Sequence, residues 1–190
     1  YADLKGNTKQ KTDPDVYENT EIGAKFDLNN GISLTAAYYD LNAIKPTGSI
    51  DDGNYSVTET EIQGYEIQAI GYLSDKWFIS ANADLIKGDA PEEVAKESFS
   101  IWNLYELNNK LSLGLGVIRK GKTNGKGGST TLPAYTRVDA AAYYKLSDKM
   151  RVQLNVENVT DELYYPHAYG THQVSVGAPI HATLKIVGRF

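Results

Sequence analysis

The chain has 190 residues, 41% of them hydrophobic, and a formal net charge of -5. That length fits one domain or a piece of a larger one, the acidic balance argues against a nucleic-acid partner, and the lack of any cysteine removes disulfides and thiolate metal sites. No apolar run of about 18 residues occurs, so a transmembrane helix is excluded, whereas a transmembrane barrel built of half-polar strands of about 9–11 residues is not. Aromatic usage is skewed, with 14 Tyr against 4 Phe and 2 Trp, and Tyr suits places where one end of a side chain is oily and the other wet.

Taken in chain order, the residues alternate apolar and polar, which in a strand means one oily and one hydrophilic face. The first full strand spans 17–28, with Ile22, Ala24, Phe26 and Leu28 opposed to Glu21, Lys25 and Asp27. Asn29-Asn30-Gly31 is a tight turn, because Asn and Gly tolerate positive φ. The second strand runs from Ile32 to about Asn42 and ends in a polar loop, 43–57. The third spans about 57–73 and alternates well from Tyr65 onward; before Gly64 it is irregular, and a bulge is expected there.

Ser74-Asp75-Lys76 turns the chain into a fourth strand, 77–86, in which Trp77, Ile79, Ala81, Ala83 and Leu85 share one parity. A loop at 87–97 follows. The fifth strand, 99–107, is the least regular, since Trp102 and Leu104 share the parity of Ser98, Ser100 and Glu106. Asn108-Asn109-Lys110 leads to a sixth strand with Leu111, Leu113, Leu115 and Val117 on one face, and then to a Gly- and Lys-rich loop, 119–132. Thr136 to Tyr144 and Val152 to Val156 form two more strands around Ser147-Asp148-Lys149. The last loop, 164–174, precedes a terminal strand in which Ile180, Ala182, Leu184, Ile186 and Phe190 oppose His181, Thr183, Lys185 and Arg189.

The expected fold is therefore all-β: an antiparallel up-and-down meander of about nine strands. Short turns follow the odd strands and long loops follow the even ones, as in bacterial outer-membrane barrels. Phe190 would then lie at the short-turn end. A soluble β-sandwich, such as a carbohydrate-binding domain, also alternates, but it usually mixes short and long connections at both ends. Nine is odd, while bacterial single-chain barrels have even strand numbers. The stub at 1–4 and the polar stretch 5–13 therefore read as the tail of a preceding strand and its loop.

Several stretches now form a familiar set. Leu132-Pro133-Ala134-Tyr135-Thr136-Arg137-Val138-Asp139, the run Val152 to Tyr165 with its Asn155-Val156-Glu157-Asn158-Val159-Thr160-Asp161-Glu162-Leu163-Tyr164-Tyr165 core, and Gly188-Arg189-Phe190 resemble the end of TonB-dependent siderophore receptors. Upstream, Glu18 to Lys25 (E-N-T-E-I-G-A-K) and Gly64-Tyr65-Glu66-Ile67 resemble further family segments in the same order. The resemblance implies that residues 1–190 are the C-terminal part of a 22-stranded barrel with a plugged lumen in the bacterial outer membrane, its plug and TonB box lying outside this chain. It also implies active import of ferric siderophores, driven through TonB–ExbB–ExbD acting on the plug. The alternative within the same architecture is a passive porin or adhesin barrel.

Candidate sites fall in the long loops. Arg119, Lys120, Lys122 and Lys126 are cations on an acidic chain, suited to an anionic ferric siderophore or to lipopolysaccharide phosphates. Tyr165, His167, Tyr169 and His172 in the last loop can stack on, and hydrogen-bond to, the organic shell of a siderophore. That shell already saturates its iron, so no protein metal ligand and no cofactor is expected. Residues 116–123 satisfy the pattern G-x-x-x-x-G-K-T, but Asn124-Gly125-Lys126-Gly127-Gly128 cannot supply the helix that phosphate binding needs. Asp51, Asp52 and Asn54 around Gly53 lack the downstream Glu of a calcium loop. No triad-like arrangement points to an enzyme.

Overall fold

The computed structural model describes residues 14–28, 31–47, 56–88, 90–128 and 130–189. The expectations for 1–13, for Asn29-Asn30, for the turn at 51–54 and for Phe190 lie outside the described residues. Alternation and turn chemistry produce one antiparallel sheet of nine strands in sequence order. These are β1 (Val16–Asp27), β2 (Ile32–Thr47), β3 (Ser56–Ser74), β4 (Trp77–Gly88), β5 (Glu97–Glu106), β6 (Leu111–Lys120), β7 (Tyr135–Lys145), β8 (Met150–Glu157) and β9 (His181–Gly188). Two two-stranded ladders, Thr123–Asn124 with Thr131–Leu132 and His167–Ala168 with Val174–Ser175, sit inside the long loops. The described residues contain no helix, so residues 116–123 leave a strand for a loop and then a short ladder, not a phosphate-binding helix.

Register carries the two faces across the whole sheet. One transverse row reads Phe26, Leu34, Ala69, Ala81, Ile101, Val117 and Val138. Another reads Trp77, Tyr105, Leu113, Ala142, Leu154 and Leu184. Among the described residues nothing lies over this face: Phe26 and Leu184 of these rows are 58% and 65% exposed, and Ile22 and Ile186 beside them 73% and 63%. A sandwich would have covered them with a second sheet, so the soluble reading fails on this point. The opposite face carries Glu21, Lys25, Gln68, Asn82, Asp84, Arg137, Gln153 and Lys185.

One lapse of the oily face is repaired locally. Asn103 stands on it, opposite Ile79 and Leu115, and its side-chain oxygen accepts a hydrogen bond from the Trp77 indole N–H at 3.2 Å. A polar group in hydrocarbon costs several kcal/mol unless it is paired (roughly 4–8 for transfer to cyclohexane), and this pairing offsets much of that.

Two expectations change. β2 and β3 pair out to Thr47 and Ser56, so the loop expected at 43–57 is shorter than that span. The register shift in β3 falls between Tyr72 and Ser74, beside the Asp75-Lys76 turn, and the ladder passes Gly64 without interruption. Gly64 serves a ring instead: a Cβ there would lie 2.3 Å from the Tyr39 side chain. The parity problem in β5 has the same kind of answer. Trp102 points to the polar face and lies across Gly114 and Gly116, where an added Cβ would meet its ring at 2.4 and 2.8 Å. A large apolar residue on the wet face is thus seated on the neighbouring strand.

The uncovered rows predict an asymmetric cost of charge. Leu184→Arg should destabilise the folded barrel by about 2–4 kcal/mol, and Thr183→Arg, one residue away on the polar face, by less than about 1 kcal/mol. Urea titration of the intact protein in lipid vesicles reads the difference, and equal costs would contradict the facing assigned here.

Candidate ligand-binding mouth

Burial concentrates at one end of the sheet. Ala95, Leu132, Tyr164, Ala168, Thr123 and Asn158 are all buried, and all belong to the loops 89–96, 121–134 and 158–180 at the long-loop end. This end is built from below by polar clamps. Asn158 leaves β8 at φ 54, a left-handed conformation that Asn tolerates better than most residues. It is 1% exposed. Its side-chain amide donates to the carbonyls of Glu162 and Ala178, both at 3.0 Å, and its oxygen accepts from the Glu162 N–H at 2.9 Å.

The backbone N–H of Asn158 donates to Asp139 Oδ1 at 2.9 Å, while Asp139 Oδ2 accepts from Arg137 at 2.8 Å. Arg137 also donates to the Tyr164 hydroxyl at 3.2 Å, and the Tyr164 ring packs on Tyr135 with centroids 4.6 Å apart. Asp161 Oδ1 accepts from the Ile180 N–H at 2.9 Å and fixes the return into β9. A Cβ at Gly177 would lie 2.2 Å from the Tyr164 ring, so only glycine lets the chain pass.

The three loops then hold one another. The Glu93 N–H donates to Asn124 O at 2.7 Å, and the Gly127 N–H to Glu92 Oε1 at 3.0 Å. Lys126 donates its N–H to Ala168 O at 2.9 Å and accepts from the Gly170 N–H at 3.2 Å. The His167 imidazole pairs with the Glu93 carboxylate. The Lys120 ammonium donates to Pro166 O at 3.5 Å. On the exposed surface the Lys126 ammonium stands 4.8 Å from the Tyr169 ring centroid, and His172 meets the same ring edge-on, with centroids 6.4 Å apart.

The expected site residues are therefore partly brought together. Lys120, Tyr165, His167, Tyr169 and His172 belong to this mouth or its underside. Tyr165 is half-buried, His167 is committed to Glu93, and Tyr169 and His172 are exposed. Lys122 is exposed on the second loop. Arg119 departs from the group: it shares the parity of Val117, faces the oily side, and donates to Thr136 Oγ1 at 3.3 Å. Adjacent residues of a strand point to opposite faces, so Arg119 and Lys120 cannot serve one ligand together. Sequence reading missed Glu92, Glu93 and the Arg137–Asp139–Asn158–Tyr164 clamp as site elements. The clamp was visible only as motif residues, and nothing in the sequence marks Glu92 or Glu93.

A sheet with one bare apolar face, short turns at one end and interlocked loops at the other defines the wall of a transmembrane β-barrel. Residues 12–159 match the model of the TonB dependent receptor-like β-barrel family. The chain belongs to that family, and its place is the outer membrane of a Gram-negative bacterium. Among its relatives is the probable TonB-dependent siderophore receptor PiuA of Acinetobacter baumannii, 29% identical over 93% of this chain and 27% of the relative. The catecholate siderophore receptor Fiu of Escherichia coli is 28% identical over 84% of this chain and 24% of the relative. The crystal structure of PiuA superposes with a TM-score of 0.79 at 28% identity, covering 90% of this chain and 28% of that one. The closed form of Fiu gives 0.81 at 24% identity, over 98% and 29%, which speaks to the fold alone. The chain thus spans about a quarter of the length of the curated relatives it matches.

The clamp gives a direct prediction. Asn158→Ala removes three hydrogen bonds to Glu162 and Ala178, at about 1 kcal/mol each, so 158–180 should become sensitive to protease while the strands stay protected. Limited proteolysis followed by mass spectrometry checks this, and cleavage unchanged from wild type would contradict the clamp.

Proposed function

We propose that this chain forms the C-terminal wall and part of the outer mouth of a receptor that imports ferric siderophores. The carrying observation is the mouth itself: Lys126, Tyr169 and His172 form an exposed cation–aromatic group on loops locked by backbone hydrogen bonds. A ferric siderophore presents flat donor groups around a coordinatively saturated iron. Such a shell is bound by stacking and charge-assisted hydrogen bonds, not by further metal ligation. The iron complex is cargo, and the reading includes no resident cofactor and no catalysis. Pre-ordered loops lower the ordering cost of binding. An anionic catecholate shell fits Lys126 and Lys122 best; the name of Fiu is consistent with cargo of this class, and that of PiuA with a siderophore.

Energy for import would come from TonB, with ExbB and ExbD, acting on a plug encoded outside these residues, while outer-membrane lipid and lipopolysaccharide surround the wall. Family membership favours this over a passive porin. In cells that depend on the intact receptor, uptake of iron-55 catecholate should disappear when TonB is deleted. Tyr169→Ala combined with Lys126→Ala should raise the half-saturating concentration about tenfold, the effect of roughly 1.4 kcal/mol. Uptake that persists without TonB would overturn the active-transport reading, and unchanged saturation in the double variant would remove these residues from the mouth.

A further inference from the structure

We propose that the oily face carries a site for one phosphorylated lipid of the external leaflet, with the phosphate on Lys87 and an acyl chain in a trough beside it. The trough lies where side chains are smallest. Ala24, Ala36 and Ala83 lie in one transverse row with Ile67 and form its floor. The depression measures about 610 Å³ and is walled by Ile22, Tyr38, Tyr65 and Leu85. Its surface is almost wholly apolar, and no part of the described chain fills it. A void of that size beside hydrocarbon is filled by lipid tail, because an empty one forfeits the contacts of its lining.

The external rim of the trough supplies the charge. Lys87 is the penultimate residue of β4 and shares the outward parity of Leu85. Its ammonium stands 5.0 Å from the Tyr65 ring centroid, and Tyr65 in turn packs on Tyr38 at 5.2 Å. This holds a cation at the aromatic boundary directly above the alanine row, at the depth where lipid headgroups begin. Gln63 lies opposite both Lys87 and Asp40 and gives its amide to Asp40 at 2.9 Å, which occupies the nearest carboxylate of that row. Arg119 lies lower, in the row of Ala83 and Phe99, and Glu97 stands opposite Leu85 between the two cations, so the phosphate contact is assigned to Lys87 alone. A phosphate above an acyl chain matches a cation above an apolar trough in both charge and order. The inference depends on the facing of the sheet and not on the cargo, so a failed uptake experiment leaves it intact.

The test uses the intact receptor in a zwitterionic detergent, titrated with dioleoylphosphatidic acid, dioleoylphosphatidylcholine or inorganic phosphate and read by native mass spectrometry. Wild type should retain phosphatidic acid about fivefold more strongly than phosphatidylcholine, the size expected for one interfacial cation. Lys87→Gln should erase that preference, and Ala36→Leu, which fills the trough and leaves the lysine, should weaken both lipids. Inorganic phosphate alone should not remain bound. Equal retention of the two lipids by wild type, an unchanged preference in Lys87→Gln, or retention of both lipids by Ala36→Leu at wild-type strength would each overturn the proposal. Binding of inorganic phosphate as strong as that of the lipid would replace it with a free-anion site.

Discussion

The structure depends on one constraint: its apolar face has no protein partner and must be solvated by hydrocarbon. Burial of an apolar side chain in water-soluble proteins stabilises by about 1.5–3 kcal/mol through removal from water. Here Ile22, Phe26, Leu115, Leu184 and Ile186 all stand bare of protein. In water such a surface would far exceed the apolar patches of soluble monomers. In a bilayer it is the surface that keeps the sheet in place, while the backbone groups of neighbouring strands satisfy one another along the spans where they pair.

This constraint sorts the chemistry of the chain. Apart from Asn103, paired to the Trp77 indole, mid-strand polar residues keep to the opposite face, and the protein-like packing gathers where the long loops meet. Asn158, Asp139 and Arg137 stabilise that packing through hydrogen bonds, not through an oily core. The loops then hold Lys126, Tyr169 and His172 in a fixed relation above the wall. Arg119 shows the same rule from the other direction, since its position in the strand decides its face and removes it from the mouth.

The order of the strands was legible because alternation, tight turns and long loops are local features. The face of Trp102 was not settled by β5 alone, because its seat is the glycine pair on β6. The bulge was expected at Gly64 for a similar reason: a missing side chain reads as a backbone defect until the Tyr39 ring is seen to occupy the space. The mouth was legible in composition but not in arrangement. Lys126 meets Tyr169, and Glu93 meets His167, across loops far apart in sequence, and no periodicity encodes such contacts.

The most direct measurement of the central claim is depth-sensitive quenching along β9. This chain has no cysteine of its own; with any cysteine elsewhere in the intact receptor replaced by serine, single cysteines are placed at 182, 183, 184, 185, 186 and 187 and labelled with an environment-sensitive fluorophore in lipid vesicles. Brominated lipid should quench labels at 182, 184 and 186, and an aqueous quencher those at 183, 185 and 187. Quenching that does not alternate along the strand, or that alternates with the opposite parity, would contradict the account.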